Sequence, residues 1–229
     1  MSDRLAIDFG KPIALFPLAN CVLLPHATIP LHIFEPRYRA MTTDVLDSTG
    51  LIAMASFAGD DWRTNYEASP PLREHVCIGY IVRHEPLPDG RFNILLQGVC
   101  RARIAQETAH SPYRTALLEP TEIEPTMEID LSAERTQIEA LLNDDALRRL
   151  AAVSALCNWL SDEVPTAALV DLTIMTLTQD PEEKYAMLAQ NDVRERINWL
   201  TRTLRRTRRS LEVADRLNTE PDDNGCHLN

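Results

Sequence analysis

Six histidines, five cysteines and two lysines are the side chains that nucleophilic or metal chemistry would have to draw on. His26 and His32 lie six positions apart, an even separation that could place both on one face of a strand. Pro30 bends the chain between them, so a metal pair is not expected there. His84-Glu85 is followed by Pro-Leu-Pro, not by a second histidine four positions on, so it is no zinc-protease helix. Cys21, Cys77, Cys100, Cys157 and Cys226 never form a CxxC pair, and most read as small core residues of a reduced protein, with Cys226 free in the tail. Cys77 and Cys100 are expected to neighbour each other across a hairpin as a reduced pair. There is no GxSxG elbow. Gly10-Lys11 is the only Gly-Lys pair, and it has neither the upstream glycine nor the following Ser or Thr of a phosphate loop. The residues thus set up no nucleophile–base pair, no metal site and no cofactor site, so an enzyme is not expected.

Two constellations could carry binding. The segment 59–74, GDDWRTNYEASPPLRE, is polar, proline-bearing and longer than an ordinary loop. It brings Trp62, Arg63 and Tyr66 close to Arg73 and His75, the aromatic and arginine mixture that peptide-binding surfaces favour. The second constellation is the arginine series Arg194, Arg196, Arg202, Arg205, Arg206, Arg208 and Arg209 near the C-terminus. With the apolar residues on one helix face, these arginines are expected to line the other and to pair with acidic groups of the chain; binding of phosphate or of an acidic partner is the alternative.

Those residues have to be held by a scaffold, and two halves of different period supply it. Up to about residue 120 the chain reads as β: Ile13–Phe16, Ala27–Phe34, Leu51–Phe57, Val76–Arg83, Phe92–Val99 and Tyr113–Leu118. Pro88-Asp89-Gly90 joins two of these runs into a hairpin over 76–104, with proline presetting φ, aspartate bonding local backbone and glycine taking φ > 0. Residues 119–134 carry six acids and no base, with Pro120 and Pro125 among them, and read as a solvated connection. From Leu131 onward helical spacing takes over. Asp180-Pro181 with Glu183 marks a capped helix start. Val193, Ile197, Leu200, Leu204, Leu211 and Ala214 form the apolar face of a last helix. The expected division is a β half over 11–120, a helical half over 121–217 and a disordered tail over 218–229.

Net charge is −11, which argues against a nucleic-acid binder working by bulk charge. The N-terminus has no apolar core of a signal peptide, and no window approaches a membrane span. A cytoplasmic protein without membrane contact is expected.

The stretch VLLPHATIPLHIFEPRYRAM, residues 22–41, ties the strands to a helix. Pro25 and Pro30 lack N–H donors, cannot sit in the middle of a central strand, and suit a strand that bends or switches sheets. Leu31 and Ile33 point one way, His32 and Phe34 the other. Pro36 fits the first helical position, and Tyr38, Met41 and Val45 follow on one face. This motif reads as a corner of a core, not a site.

The same residues resemble the opening of the Lon N-terminal domain, also called the Lon substrate-binding domain. The resemblance rests on Pro17-Leu18, Val22–Pro25 and Pro30-Leu31-His32-Ile33-Phe34-Glu35-Pro36-Arg37-Tyr38. It continues through Ile78-Gly79, Asp89-Gly90-Arg91, Leu96-Gln97-Gly98-Val99-Cys100-Arg101, and Pro112-Tyr113 with Ala116. It covers about residues 11–205. His26 departs from it, standing where free-standing members usually have glycine, which implies a turn passed without φ > 0.

The resemblance implies an α+β fold, an N-terminal PUA-like β pseudo-barrel followed by a C-terminal helical bundle. It also implies a binding module without the ATPase and Ser–Lys protease domains that follow this module in Lon proteases. The expected partners are unfolded or degron-like protein segments, bound as by an adaptor or a chaperone-like protein. A scaffold for one specific partner and an RNA-binding PUA-like protein are the alternatives.

Overall fold

Six strands form one mixed sheet, and its curl follows from the length of a single strand. The structure, a computed structural model, describes residues 6–64, 69–109, 112–121, 127–159 and 163–219. The strands are β1 (Ile13–Leu18), β2 (Thr28–Ile33), β3 (Leu51–Ser56), β4 (His75–Pro86), β5 (Phe92–Ala109) and β6 (Thr115–Pro120). Their order is β2-β5-β4-β3-β1-β6, with β6 also pairing with β5. β5, at 18 residues, pairs with β2 through Phe92–Gln97 and with β6 through Ala102–Ala109. The ring β5-β4-β3-β1-β6 therefore closes on itself, and β2 is left as an edge. Register shifts at Ile78/Gly79 and Ile81/Arg83 supply the local bends that closure requires. The 76–104 hairpin is present and runs further than its sequence pattern, because β6 gives the second half of β5 a partner.

β1 and β3 are parallel, and every other pairing is antiparallel. Parallel neighbours need a crossover. Here β2 and helix α1 (Pro36–Leu46) provide it. Pro36 occupies the first helical turn, and Tyr38, Met41 and Val45 are buried, as the spacing predicts. Tyr38 packs edge-on against Phe16 at 4.5 Å. Pro30 sits in the edge strand, where a missing donor costs least. Ile13, Leu15, Leu51, Ala53, Val76, Ile78, Ala102 and Leu118 fill the barrel interior.

One expectation about this motif is overturned. His26 has φ +67°, so the chain does enter the left-handed region there. Two backbone hydrogen bonds hold it: His26 N–H donates to the Gly98 carbonyl and Gly98 N–H to the Ala27 carbonyl, both at 2.8 Å. A Cβ on Gly98 would stand 2.2 Å from the Leu24 carbonyl oxygen. The glycine of the Leu96–Arg101 motif is thus the floor on which the 24–27 turn rests. The cysteine expectation also changes. Register sets Cys100 opposite Ile78 and Cys77 opposite Arg101, so the two thiols are not direct cross-strand neighbours.

The remaining helices are α2 (Ser132–Leu142), α3 (Asp145–Arg148), α4 (Ala151–Trp159), α5 (Thr166–Leu177), α6 (Pro181–Ala189) and α7 (Val193–Thr219). The chain forms two compact units, and they are not contiguous in sequence. One comprises Met1–Pro125 and Thr178–Asp192; the other comprises Thr126–Leu177 and Val193–Asn229. The sequence division at 120/121 placed α6 with the helices, whereas α6 belongs to the β unit. Two side chains account for this. Arg101, 1% exposed, donates from Nη2 to the Met187 carbonyl at 3.4 Å, and the Tyr185 hydroxyl accepts from the His75 N–H at 3.0 Å.

In the second unit α7 packs on α2, α3 and α5. Val193, Ile197, Leu200 and Leu204 are buried as the spacing predicts, but Ala214 is exposed. The expected disordered tail, 218–229, falls almost wholly outside the described residues.

Candidate peptide-binding cleft

Trp62 is the middle residue of a 3-10 turn, Asp61–Arg63, that follows β3 in the β unit. Its ring stacks on Phe57 at 5.9 Å with 17° between the planes, and the Arg63 guanidinium lies 5.1 Å from its centroid. Arg63 also donates to Asp60 at 2.9 Å. Trp62 is half-buried and lines a cleft of about 170 Å³. The cleft runs from Asn20 and Val22 past Phe57, Trp62 and Arg63 to Arg73 and Glu182. Its volume suits one inserted side chain, not a folded surface.

Arg73 forms the far wall. Its Nη1 donates to both carboxylate oxygens of Glu182 at 2.8 Å, and its guanidinium lies 3.5 Å from the Tyr185 ring centroid. His75 adds its ring edge-on to Tyr185 at 6.4 Å. Burial pushes the Tyr185 phenol up, while the His75 N–H and the Arg73 charge pull it down. The N-terminus of α6 is closed by its own cap, since Asp180 Oδ1 accepts from the Glu182 N–H at 2.9 Å. Near the cleft, burial raises the Cys21 thiol, with the Lys184 charge opposing.

Of the five residues expected to bind, Trp62, Arg63 and Arg73 line one cleft, and His75 stands behind it against Tyr185. Tyr66 lies outside the described residues. Phe57, Glu182 and Tyr185 escaped the sequence reading. The Asp180-Pro181 start identified α6 as a helix, but nothing local to it indicated that its first turn meets residues 109 positions earlier.

The arginine series of α7 divides into two kinds. Arg194 pairs with Glu134 and donates to the Asp130 carbonyl at 2.8 Å. Arg208 lies 3.5 Å from Asp144 and 3.4 Å from Glu212. Arg196 is not on the solvent face at all; it is 1% exposed, with Nε 3.4 Å from Asp171 Oδ1. Its position in the helix places it on the edge of the apolar face, and the buried carboxylate of α5 receives it. Arg202, Arg205, Arg206 and Arg209 are exposed, and none has a carboxylate partner among the described residues. The expectation that the series pairs throughout with the chain's acidic groups fails at these four.

Residues 12–206 match the ATP-dependent protease La (LON) substrate-binding domain. The chain belongs to that family. The Lon substrate-binding domain here is 26% identical over 223 residues to the Lon protease of Dictyoglomus thermophilum, covering 93% of this chain and 26% of that protein. It is 28% identical over 198 residues to the Lon protease of Brucella suis, covering 80% of this chain and 22% of the relative. The chain thus spans about a quarter of the length of these relatives.

Two solved structures share the fold. The Lon N-terminal domain protein from Xanthomonas campestris superposes with TM-score 0.56 at 18% identity, over 83% of this chain and 96% of that one. The N-terminal domain of Mycobacterium avium complex Lon protease gives 0.60 at 18% identity, over 85% and 98%. The α+β architecture expected from the sequence is this family's fold. The matched region is the substrate-binding domain alone, and the 229 residues hold no GxxxxGK[ST] loop. Among the described residues no helix is long and apolar enough to cross a membrane.

Proposed function

We propose that this Lon substrate-binding domain is a non-enzymatic module that recognises unfolded or degron-like protein segments, working as an adaptor or chaperone-like binder. Trp62 carries the reading. It lines a cleft sized for a single side chain, with Arg63 beside it and the Arg73–Glu182 pair as a polar wall. A folded protein seldom offers a lone side chain on an extended backbone, whereas an unfolded segment offers one at every step. Aromatic and arginine side chains are also those that contribute most to protein contacts.

The test is fluorescence anisotropy of a labelled, permanently unfolded protein titrated with the full chain, with single-stranded RNA as competitor. Saturable binding at roughly tens of micromolar is expected. RNA should not displace it, and Trp62→Ala should weaken it by about tenfold. No binding sinks the reading and favours a dedicated partner, which a pull-down would then identify. Displacement by RNA favours the PUA-like alternative.

A further inference from the structure

We propose that the exposed stripe of α7 is a second docking surface, built for an acidic amphipathic segment of another protein and separate from the Trp62 cleft. Arg202, Arg205, Arg206 and Arg209 stand at helical steps of three and four, so they form one continuous strip. With Ser210 and Val213 they make one open face of α7. Val213 and Leu217 continue the same strip toward the C-terminus and are 53% and 69% exposed. The opposite side of the helix is the side that packs: Val193, Ile197, Leu200 and Leu204 are buried there, and Arg208 reaches Asp144.

A solvated helix face normally alternates its charges, because like charges four residues apart repel. This strip does not. Five other arginines of the second unit find carboxylates: Arg135 with Glu139, Arg149 with Asp215, Arg194 with Glu134, Arg196 with Asp171 and Arg208 with Asp144. A chain of net charge −11 has acids to spare, yet four consecutive members of the strip are left without one. The complement is a segment with carboxylates spaced along one helix face.

The apolar end selects protein over nucleic acid. Val213 and Leu217 offer aliphatic surface worth about 25 cal/mol per Å² to an apolar partner. A phosphate backbone gains nothing from it. Nucleic acid, with about one charge per 1.7 Å of duplex, also meets the full repulsion of an acidic protein, whereas a short acidic segment carries only a few charges. The occupant is therefore a helix with Glu or Asp at three- and four-residue steps and leucine-like residues at one end.

The experiment is anisotropy with a fluorescein-labelled amphipathic peptide of that pattern, Glu on one face and Leu at one end, titrated with the full chain. Saturable binding that weakens with salt is expected. Arg205→Glu, Arg206→Glu and Arg209→Glu together should weaken it at least about tenfold, and Val213→Ser with Leu217→Ser by about threefold or more. The corresponding Arg→Gln variant, which adds no new charge, should fall between. Binding of unfolded protein should be unchanged in all of these and weakened only with Trp62→Ala, so the two sites fail independently. Absence of peptide binding overturns the proposal. So does equal binding by the charge-reversed chain. Displacement by a single-stranded oligonucleotide without any effect of the serine pair makes the strip a general polyanion site instead. Self-association of the wild type, abolished by charge reversal in sedimentation equilibrium, gives the strip to a second copy.

Discussion

Arg196 Nε lies 3.4 Å from Asp171 Oδ1, and both side chains are 1% exposed. The pair joins α7 to α5 inside the second unit. Taking two charges out of water is costly, and their attraction offsets that only while both remain. Asp171→Ala should therefore destabilise by about 3–5 kcal/mol, because it removes the carboxylate that faces a buried guanidinium. Replacing both, Asp171→Leu with Arg196→Met, should recover most of the loss. Thermal melts of the three chains check this.

His26 and Gly98 give a second prediction. A non-glycine residue in the left-handed region costs about 1–2 kcal/mol, and glycine's extra freedom in the unfolded chain offsets about 0.5–1 kcal/mol of any relief. His26→Gly should therefore stabilise by less than about 1 kcal/mol, while the β-branched His26→Val should destabilise by more than about 1 kcal/mol. Gly98→Ala should be worse than either, at about 1–3 kcal/mol or beyond, because its Cβ meets backbone, not a side chain that can turn aside. Urea midpoints at unchanged slope measure all three.

The α6 contact should show in alkaline titration. Burial raises Tyr185, and burial with the Asp44 carboxylate raises Tyr113, so these two should ionise above the ordinary phenol value. A phenol whose folded pKa is raised contributes stability that is whole below its unfolded value, near 10, and is lost as pH climbs through the folded value. Tyrosinate absorbance should thus show a late component that Tyr185→Phe reduces and Tyr113→Phe reduces further. Tyr185→Phe also leaves the His75 N–H without its acceptor, so it should cost about 1–3 kcal/mol at neutral pH.

Arg73→Ala separates wall from ligand contact. The guanidinium holds Glu182 at 2.8 Å with both oxygens and covers the Tyr185 ring. Glu182 is largely exposed, so the ion pair itself contributes little. Loss of the stacked stem and plane should still cost about 1 kcal/mol. If the cleft takes peptide side chains, Arg73→Ala should weaken unfolded-protein binding less than Trp62→Ala does, by anisotropy under the same conditions.

Much of the architecture was legible because its signals are local. Pro36, Tyr38, Met41 and Val45 mark α1 by spacing alone, and Pro88-Asp89-Gly90 is a turn whose three parts are each visible. Asp89 Oδ1 accepts the Arg91 N–H at 3.1 Å, and Gly90 has φ +78°. What was not legible depends on partners distant in the chain. Nothing near Phe92 says that β5 will serve two strands in succession. Nothing near Arg196 says that Asp171 waits inside α5, and its neighbours in the arginine series made it look exposed. The cleft divided in the same way: Trp62 and Arg63 stood out as types on a polar segment, whereas Glu182 and Tyr185 joined them only through the docking of α6. His26 misled for a different reason, since a residue that tolerates φ > 0 poorly can be held there by two backbone hydrogen bonds.

The return of Thr178–Asp192 to the β unit sets an order of assembly. A ribosome that has released the six strands has not yet released the helix that caps Arg101 and takes the His75 N–H. The barrel must wait for more than fifty further residues, β6 ending at Pro120 and α6 beginning at Pro181, before its last side is covered. Such distant closure slows folding. A fragment cut after the last strand would carry a buried arginine with its helix missing, and would serve as bait for chaperones better than as a miniature of the domain.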